Sequence, residues 1–544
     1  MHPKTLQILK NFEEIDRIPR CSKHEEKIAR WLEDWARSRN FEVKSDLVNN
    51  LLIKVPATPG FENSPTLVLQ GHMDMVCEKS KGSDHDFSKD PIDCVYDGDW
   101  LKGNGTSIGA DNGIALAIAM VLAEAGKEGE IEHPPLELLF TVDEETGLTG
   151  AMALDPGFFE GRVLLNMDSE DEGVFTVGCA GGLNTRITLP LEYEPFDYAD
   201  GFGFFKLSIE GLKGGHSGVE IHRQRANAVH LLARTLSGVR DKTGEAGSGS
   251  GSWSLRLVSL NGGSTHNSIP NFAEAFFALK RSELDRVKGL VSRFGKTFRA
   301  EYARSDPDIR LDLREVEKGV IYEITETEIH EKEVPLDRVL TKSSDSGLLK
   351  LLLALPHGVY RMSDKIQGLV ETSNNLALVR TGDDAVEVLS SQRSSVMSRL
   401  DEITGRIEAV AELAGAEVRH ENKYPAWEPD LESDLLSRCK AAYTSVFGQD
   451  PSIEVVHAGL ECGVIGSKCG LRDGKGYSGD SAGENREVEN SDSDDCDGED
   501  DEVGMEMISI GPTIKYPHSP DEKIYIPSIE KVWTFLDKLL KSYR

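Results

Sequence analysis

Residues 66–75 read TLVLQGHMDM, and they decide the fold because a short apolar, β-branched run ends directly in glycine, histidine and aspartate. Two more runs of strand length end in a similar way: LELLFTV (136–142) is followed by DEETG, and VLLN (163–166) by MDSED. Between the first two runs lies a strongly apolar helical stretch. Strands that alternate with helices predict an α/β domain whose central mixed sheet is flanked by helices.

The pattern of strand-like and helical stretches changes at about residue 182. From 182 to 392, strand-like runs such as 204–209 alternate with helical stretches such as 226–237. We interpret this section as an inserted α+β domain. Residues 1–181 and 393–544 would then form the α/β domain from two separate parts of the chain.

Residues 471–504 form an acidic stretch of low complexity. Between 471 and 502 there are 13 acidic and 3 basic side chains. A segment with so little apolar surface and so much charge cannot offset the entropy lost on ordering. We therefore expect a disordered insertion in the second part of the α/β domain, with an interaction tail or a phosphorylation target as the alternative.

Composition excludes several classes of protein. The 544 residues carry a net charge of −32, so a surface that tracks nucleic-acid phosphates is not expected. The longest apolar run, 114–123, is shorter than the roughly 20 residues that span a bilayer, and the N-terminal stretch lacks the apolar core of a secretory signal. The eight cysteines include no CxxC pair, which favours reduced thiols in the cytoplasm over a disulfide framework.

Histidine and acidic side chains recur where the predicted strands end. Ligands of open α/β sheets bind at the carboxyl ends of the strands. The side chains at these ends are His72, Asp74, Glu144, Glu145 and Asp168, and Asp111 stands where a loop enters the apolar helix. Imidazole and carboxylate groups are zinc ligands. Two such ions, about 3.5–4 Å apart, can share one bridging carboxylate.

Each of these residues has a simpler explanation when it is taken alone. His72 would be a hydrogen-bonded histidine at a strand end, and Asp111 would cap the following helix. Glu144 and Glu145 would form a solvated acidic corner. However, four acidic clusters at strand or helix ends within about 100 residues are hard to attribute to chance, so the pattern favours a two-metal site.

Eight local motifs extend this interpretation over nearly the whole chain. They are LVLQGHMDMVCEK, GADNGIALA, LLFTVDEETGLTGA, LLNMDSEDEG, GLKGGHSG, HNSIPN, HAGLECG and ISIGPTIKYPHSPDE. In these motifs the sequence resembles the M20 family of di-zinc metallopeptidases, and within it the aminoacyl-histidine dipeptidase (peptidase D) or cytosolic non-specific dipeptidase branch. The acidic stretch 471–504, between the last two motifs, is the clearest departure from that pattern.

The resemblance implies a two-metal site with five ligands. His72 and Asp168 would hold one ion, Glu145 and His518 would hold the other, and Asp111 would bridge them. Without the resemblance, the last ligand would be one of 14 histidines. Its position in PHSPDE, after a strand and a Gly-Pro turn, distinguishes it from its rivals. Those rivals are His222, His420 and His457, of which the last is also a candidate for lining the site.

Two further acids complete the implied site. Asp74 would orient the first histidine ligand. Glu144 would be the general base that takes a proton from water and passes it to the leaving amine. The peptide bond that follows Asp111 would be cis. We interpret the other charges near these motifs, Lys515 and Glu522 among them, as solvated surface.

The inserted domain would act as a lid and as a dimerisation domain. By the same resemblance, His216 in GGHSG would stabilise the oxyanion of the tetrahedral intermediate. Asn267 and Arg393 would anchor the C-terminal carboxylate of the substrate, with Arg380 as the alternative to Arg393. Anchors of this kind explain a preference for very short peptides.

We therefore expect a di-metal hydrolase that cleaves dipeptides, either Xaa-His dipeptides or a broad range. The expected cofactors are two divalent ions, zinc in the first place and cobalt or manganese as alternatives. The expected partners are a small peptide and a second copy of the chain, in the cytoplasm, without nucleic acid or membrane. The alternatives are a tripeptide aminopeptidase or N-acyl amino acid deacylase of the same family and, more remotely, an inactive acidic interaction protein.

Overall fold

The computed structural model describes residues 2–196, 201–243, 254–317, 319–324, 329–468 and 504–544. The chain divides into two units. The first unit contains Met1–Cys179 and Trp427–Arg544, and the second contains Ala180–Ala426. Apart from Gly504, the acidic stretch predicted at 471–504 lies outside the described residues.

Helices and strands alternate in the first part of the first unit, as the sequence predicts. In chain order its elements are α1 (Pro3–Ile15), α2 (Glu26–Ser38), β1 (Glu42–Ser45), β2 (Leu51–Val55), β3 (Leu67–His72), β4 (Cys94–Asp97), β5 (Trp100–Gly103), α3 (Ala110–Lys127), β6 (Leu136–Thr141), α4 (Glu144–Gly147), α5 (Thr149–Ala153), β7 (Val163–Asn166) and β8 (Val174–Cys179).

Antiparallel strands dominate the second unit. Its elements are β9 (Gly181–Pro190), β10 (Tyr193–Pro195), β11 (Phe202–Glu210), α6 (Ala228–Thr243), β12 (Leu255–Gly262), β13 (Ala273–Lys280), α7 (Leu284–Glu301), β14 (Arg310–Glu315), β15 (Gly319–Ile324), β16 (Ile329–Val334), β17 (Arg338–Leu340), α8 (Lys342–Ala354), β18 (Gly358–Met362), β19 (Val370–Thr381), β20 (Ala385–Ser394), α9 (Met397–Leu413) and β21 (Glu417–Tyr424). The chain then returns to the first unit with α10 (Asp434–Phe447), β22 (Ser452–Val456), α11 (Glu461–Lys468), β23 (Glu506–Ser509), β24 (Ile514–Lys515), β25 (Lys523–Tyr525) and α12 (Ile526–Lys541).

An eight-stranded mixed sheet forms the centre of the first unit, in the order β1-β2-β6-β3-β7-β23-β8-β22. The central strands β6, β3, β7 and β23 pair in parallel, whereas β1 and β2 run antiparallel at one edge. Strands β3 and β6 are buried along their whole length, as expected for a parallel sheet that helices cover on both faces. The predicted α/β architecture is confirmed.

Helix α3 contains the apolar run that the sequence predicts to be buried. Residues 114–123 are at most 1% exposed, and the helix packs against α1 and β3. Each large aliphatic side chain that leaves water in this way contributes about 1.5–3 kcal/mol to folding. Among the residues that the structure describes, no helix is both long and apolar enough to cross a membrane.

The second unit is built around an antiparallel sheet in the order β14-β11-β13-β12-β19-β20-β9-β21, with β18 paired to β19. It begins two residues before the expected boundary at 182 but continues beyond 392 to Ala426. The extension has a direct cause. Strand β9 pairs with β20 on one side and with β21 on the other, so both belong to the same sheet.

One pair of cysteines departs from the expectation of reduced thiols. Cys21 and Cys77 form a disulfide, with Cα atoms 5.7 Å apart. Cys21 precedes α2 and Cys77 follows β3, so folding brings together two residues that are 56 positions apart. Among the described residues, the cysteines with free thiols are Cys94, Cys179, Cys439 and Cys462.

Candidate metal centre

The candidate ligands gather at one edge of the eight-stranded sheet because its central strands run parallel. His72 is the last residue of β3 and lies beside Thr141, the last residue of β6. Glu144 begins the short helix α4 that follows β6. Asp168 comes two residues after the end of β7, which pairs with the other side of β3. The loops after three neighbouring strands therefore meet at this edge.

Asp111 lies between two histidines that come from distant parts of the chain. Its Oδ1 is 3.1 Å from Nε2 of His72, and its Oδ2 is 3.2 Å from Nε2 of His518. The Nε2 of His72 is also 3.3 Å from Oδ1 of Asp168, and the Nε2 of His518 is 3.0 Å from Oε2 of Glu145. All five predicted ligands are thus in one cluster, with Asp111 at its centre.

The backbone around Asp111 holds this arrangement in place. The peptide bond between Asp111 and Asn112 is cis, as the sequence resemblance implies. The Asn112 side-chain amide donates to Oδ1 of Asp168 at 2.8 Å and to the Met167 carbonyl at 2.9 Å. Asp111 and Asp168 are therefore connected through Asn112. On the opposite side, His518 approaches from the loop between β24 and β25, and its side chain is 51% exposed.

The carboxylates of the cluster lie so close together that a nearby positive charge stabilises their ionised forms. Burial raises the pKa of Asp168 to about 7. Burial, together with the charges of Asp168 and Glu145, also raises the pKa of Glu144 well above its usual value. Burial opposes the charged form of His518, but its contacts with Asp111 and Glu145 raise its pKa to about 11. Cations bound among these groups would relieve the repulsion between them.

Asp74 connects the first histidine to the Glu144–Glu145 turn. Its Oδ1 lies 3.2 Å from Nδ1 of His72 and accepts the backbone N–H of Glu144 at 3.1 Å. Its Oδ2 accepts the backbone N–H of Glu145 at 3.3 Å and the hydroxyl of Ser22 at 2.8 Å. Burial opposes ionisation, but the hydrogen bond and charge of His72 lower the pKa of Asp74. A charged Asp74 fixes the imidazole so that Nε2 faces the cluster.

Two glutamates near the cluster differ from what the sequence suggests. Glu522, interpreted above as solvated surface, is 2% exposed, and it accepts backbone N–H groups of the loop that carries Asp111. Glu461, in the motif HAGLECG, is fully buried and binds the side chains of Gln70 and Thr141. The sequence signals were the position of Glu522 four residues after His518 and the place of Glu461 in HAGLECG. Neither signal indicates that the carboxylate is buried.

The rival histidines occupy other places. His420 is on β21 of the second unit, with Nδ1 3.2 Å from the Thr185 hydroxyl, and His222 is exposed in the same unit. His457 is buried in the loop between β22 and α11. Of the four, it is His518 that contacts Asp111, with Nε2 3.2 Å from Oδ2.

The predicted substrate residues lie in the second unit. His216 and Ser268, the neighbour of Asn267, form an isolated β-bridge, and the Ser217 N–H donates to the Asn267 carbonyl at 2.7 Å. Nδ1 of His216 accepts the N–H groups of Gly218 and Val219, so a neutral ring carries its proton on Nε2. This is the tautomer that can donate a hydrogen bond to an oxyanion.

Arg393 lies in the buried part of β20 and is 7% exposed. Its Nη1 donates to the Tyr424 hydroxyl at 2.7 Å. In the same sheet, Asn375 on β19 donates to the carbonyls of His266 and Ser268, on either side of Asn267. The alternative, Arg380, is opposite Glu387 near the other end of the β19–β20 pair.

Comparisons with known proteins agree with this geometry. Residues 207–306 match the M20 peptidase dimerisation domain. Over 97% of its length, the chain is 38% identical to 96% of the cytosol non-specific dipeptidase of Escherichia coli K12. The aminoacylhistidine dipeptidase of Vibrio alginolyticus has a similar structure, with a TM-score of 0.77 and 36% identity over 98% of this chain and 96% of that one.

A more distant structure, the aminopeptidase PepT of Bacillus cereus, has a TM-score of 0.52 at 14% identity, over 99% of this chain and 98% of that one. At that identity the likeness concerns the fold alone. The match to the Escherichia coli dipeptidase covers 97% of this chain and therefore includes both units. The chain therefore belongs to the M20 family of metallopeptidases.

Proposed function

We propose that the protein is a dipeptidase that uses two divalent metal ions. The observation that carries the proposal is the position of Asp111, whose two oxygens face two histidines that each have a further carboxylate at 3.3 Å or less. One ion would be held by His72 and Asp168, and the other by Glu145 and His518. Asp111 would bind both ions. A pair of imidazoles with shared and terminal carboxylates fits zinc, and cobalt and manganese are alternatives.

The structure contains an independent sign that these residues suit metal ions. Oε1 of Glu145 is buried and has no hydrogen-bond partner among the described residues. A buried carboxylate oxygen without a partner is costly, and a cation would satisfy it. Two ions at this centre would supply Lewis-acid activation of water and of the scissile carbonyl.

The chain itself would supply the proton transfers and the orientation of the substrate. Glu144 would take a proton from the attacking water and give it to the leaving amine. Asp74 would fix both the His72 ring and the backbone of Glu144 through the hydrogen bonds given above. His216, as the Nε2–H tautomer, would donate to the oxyanion of the intermediate.

Asn267 and Arg393 would bind the C-terminal carboxylate of the substrate, since a guanidinium group offers paired donors to a carboxylate. We also propose that two copies of the chain associate through the region that matches the dimerisation domain.

The name of the Escherichia coli relative supports the choice of dipeptides over tripeptides and acylated amino acids, and it supports a location in the cytoplasm.

The test is a substrate panel combined with a variant of the base. Wild type, Glu144→Gln and the exposed control Glu160→Gln are loaded with zinc, cobalt or manganese and assayed with Xaa-His dipeptides, other dipeptides, a tripeptide and an acetylated amino acid. We expect dipeptides to be preferred. We expect Glu144→Gln to keep two ions per chain and to lose at least the roughly 100-fold that general-base catalysis contributes. A wild type without activity under all three metals would instead support the inactive interaction protein.

A further inference from the structure

Glu522 connects the loop that carries Asp111 to the loop that carries His518. Its Oε2 accepts the backbone N–H groups of Ile108 at 3.0 Å and Gly109 at 2.9 Å. Its Oε1 accepts the backbone N–H of Asp111 at 3.2 Å. One buried carboxylate therefore binds three backbone donors, Ile108, Gly109 and Asp111, where the chain enters α3.

The position requires a carboxylate rather than an amide. The three donors lie at the start of α3, where N–H groups have no partner within the helix and the helix dipole favours negative charge. Both oxygens of Glu522 act as acceptors. A glutamine has a single acceptor oxygen, and its NH2 group would face an N–H donor.

We propose that Glu522 is a positioning residue of the metal centre. Its carboxylate fixes the backbone of residues 108–111 and so sets the direction in which the Asp111 side chain points. Because Glu522 is four residues after His518, one short loop contributes both a terminal ligand and the group that holds the shared ligand. The metal-binding part of this inference rests on the proposed function.

The first test compares wild type with Glu522→Gln and with Asp521→Asn, an exposed neighbour. Each full-length protein is titrated with Co²⁺, and its visible absorption, kcat and KM are measured. We expect Glu522→Gln to bind Co²⁺ at least about tenfold more weakly, with a changed absorption spectrum and a lower kcat at an unchanged KM. Asp521→Asn should match wild type. A Glu522→Gln protein with the wild-type affinity, spectrum and kcat would overturn the proposal.

The second test needs no metal, and its wild-type arm does not depend on whether the variant folds. Hydrogen exchange of the metal-free wild type should show protected amides at Ile108, Gly109 and Asp111, and Glu522→Gln should lose protection in that peptide alone. Rapid exchange of these amides in the folded wild type would also overturn the proposal. If the wild type bound no metal, the proposed function would fail, while this measurement would still decide whether Glu522 holds the loop.

Glu461 carries a second, independent inference. Its Oε2 accepts from Nε2 of Gln70 at 2.6 Å and from the Thr141 hydroxyl at 2.7 Å. Oε1 of Gln70 in turn accepts from Nδ2 of Asn166 at 2.6 Å. All four side chains are fully buried. Three of these side chains lie at or near the ends of strands that carry candidate site residues: Gln70 on β3, Thr141 on β6 and Asn166 on β7.

The direction of these hydrogen bonds specifies an acceptor at position 461. Gln70 uses its oxygen for Asn166, so its NH2 group acts only as a donor, to Glu461 and, at 3.2 Å, to the Thr141 hydroxyl. We propose that this acceptor positions the ends of β3, β6 and β7, and with them His72 and the residues that follow the other two strands. The requirement is for an oxygen, which glutamine also has, and not for a negative charge.

The test compares Glu461→Gln with Glu461→Leu by Co²⁺ affinity and by the separate values of kcat and KM. We expect Glu461→Leu to weaken binding by about tenfold or more and Glu461→Gln to restore it. Equal losses in the two variants, or none in Glu461→Leu, would contradict the inference. If Glu461→Leu does not fold, Thr141→Val removes one of the two donors, and an unchanged Co²⁺ affinity in that variant would contradict it equally.

Discussion

Nε2 of His518 lies 3.2 Å from Oδ2 of Asp111, although 407 residues separate them in the sequence. The other oxygen of Asp111 faces His72. The second part of the first unit therefore returns to complete a cluster that its first part begins. This relationship is the structural basis of the proposed two-metal site.

The first prediction concerns His518. His518→Ala removes a half-exposed side chain and therefore leaves no cavity in the core. It should bind about one ion fewer per chain than wild type, and its activity should fall by more than the roughly 10–100-fold that loss of an outer hydrogen-bond partner costs. Metal analysis after dialysis measures the first effect. The exposed His222→Ala serves as the control, and two retained ions in His518→Ala would argue against its role as a ligand.

The second prediction concerns Asp74, which has four donors around its two oxygens. In Asp74→Asn one oxygen becomes an NH2 group, so kcat/KM should fall by about 10–100-fold. Ser22→Ala removes only the Ser22 hydroxyl and should lose far less. The two variants are assayed side by side at saturating metal. Equal activity of Asp74→Asn and wild type would show that Asp74 does not orient His72.

The third prediction concerns the pH dependence of stability. Burial raises the pKa of Asp16 to about 7, above the value of about 4 in unfolded chains. The native state therefore keeps a proton that the unfolded chain releases. The free energy of unfolding should fall by up to about 1.4 kcal/mol per pH unit as the pH rises from about 4 to about 7.

Asp16→Asn removes this titration and keeps an acceptor oxygen for Arg20, whose Nη2 is 3.3 Å from Oδ1 of Asp16. Denaturant unfolding of the metal-free proteins should show the variant gaining stability relative to wild type between about pH 4 and about pH 7, since about 3 pH units separate the two pKa values. The exposed Asp34→Asn should show no such gain. A constant difference between Asp16→Asn and wild type over this range would contradict the prediction.

The fourth prediction concerns the disulfide between Cys21 and Cys77. A crosslink between residues 56 positions apart should stabilise the fold by up to roughly 4 kcal/mol through the entropy of the unfolded chain. A reductant should therefore lower the unfolding midpoint of wild type. The same reductant should leave the Cys21→Ser/Cys77→Ser double variant unchanged. An equal response of the two proteins would mean that this bond does not contribute.

Much of the fold and of the cluster could be predicted because both depend on local patterns. Apolar runs that end in histidine or acid identified β3, β6 and β7, and parallel pairing brings their ends together. The position of His518 could not be derived in this way, since no local pattern relates β25 to Asp111. It depended on the family resemblance.

The features that the sequence did not predict are those that depend on tertiary contacts. Glu522 sits in a charged motif that is typical of surface loops, and its burial follows from the three N–H groups that meet it. The pairing of Cys21 with Cys77 requires two loops to come together. The second unit extends to Ala426 because β21 joins its sheet, which no composition change marks.

The most direct test of the two-metal site is anomalous diffraction from crystals of the full chain grown with zinc, recorded at the zinc edge. We expect two peaks, each about 2.0–2.2 Å from an oxygen of Asp111. One should contact His72 and Asp168, and the other Glu145 and His518. A single peak, or two peaks that do not share Asp111, would contradict the account.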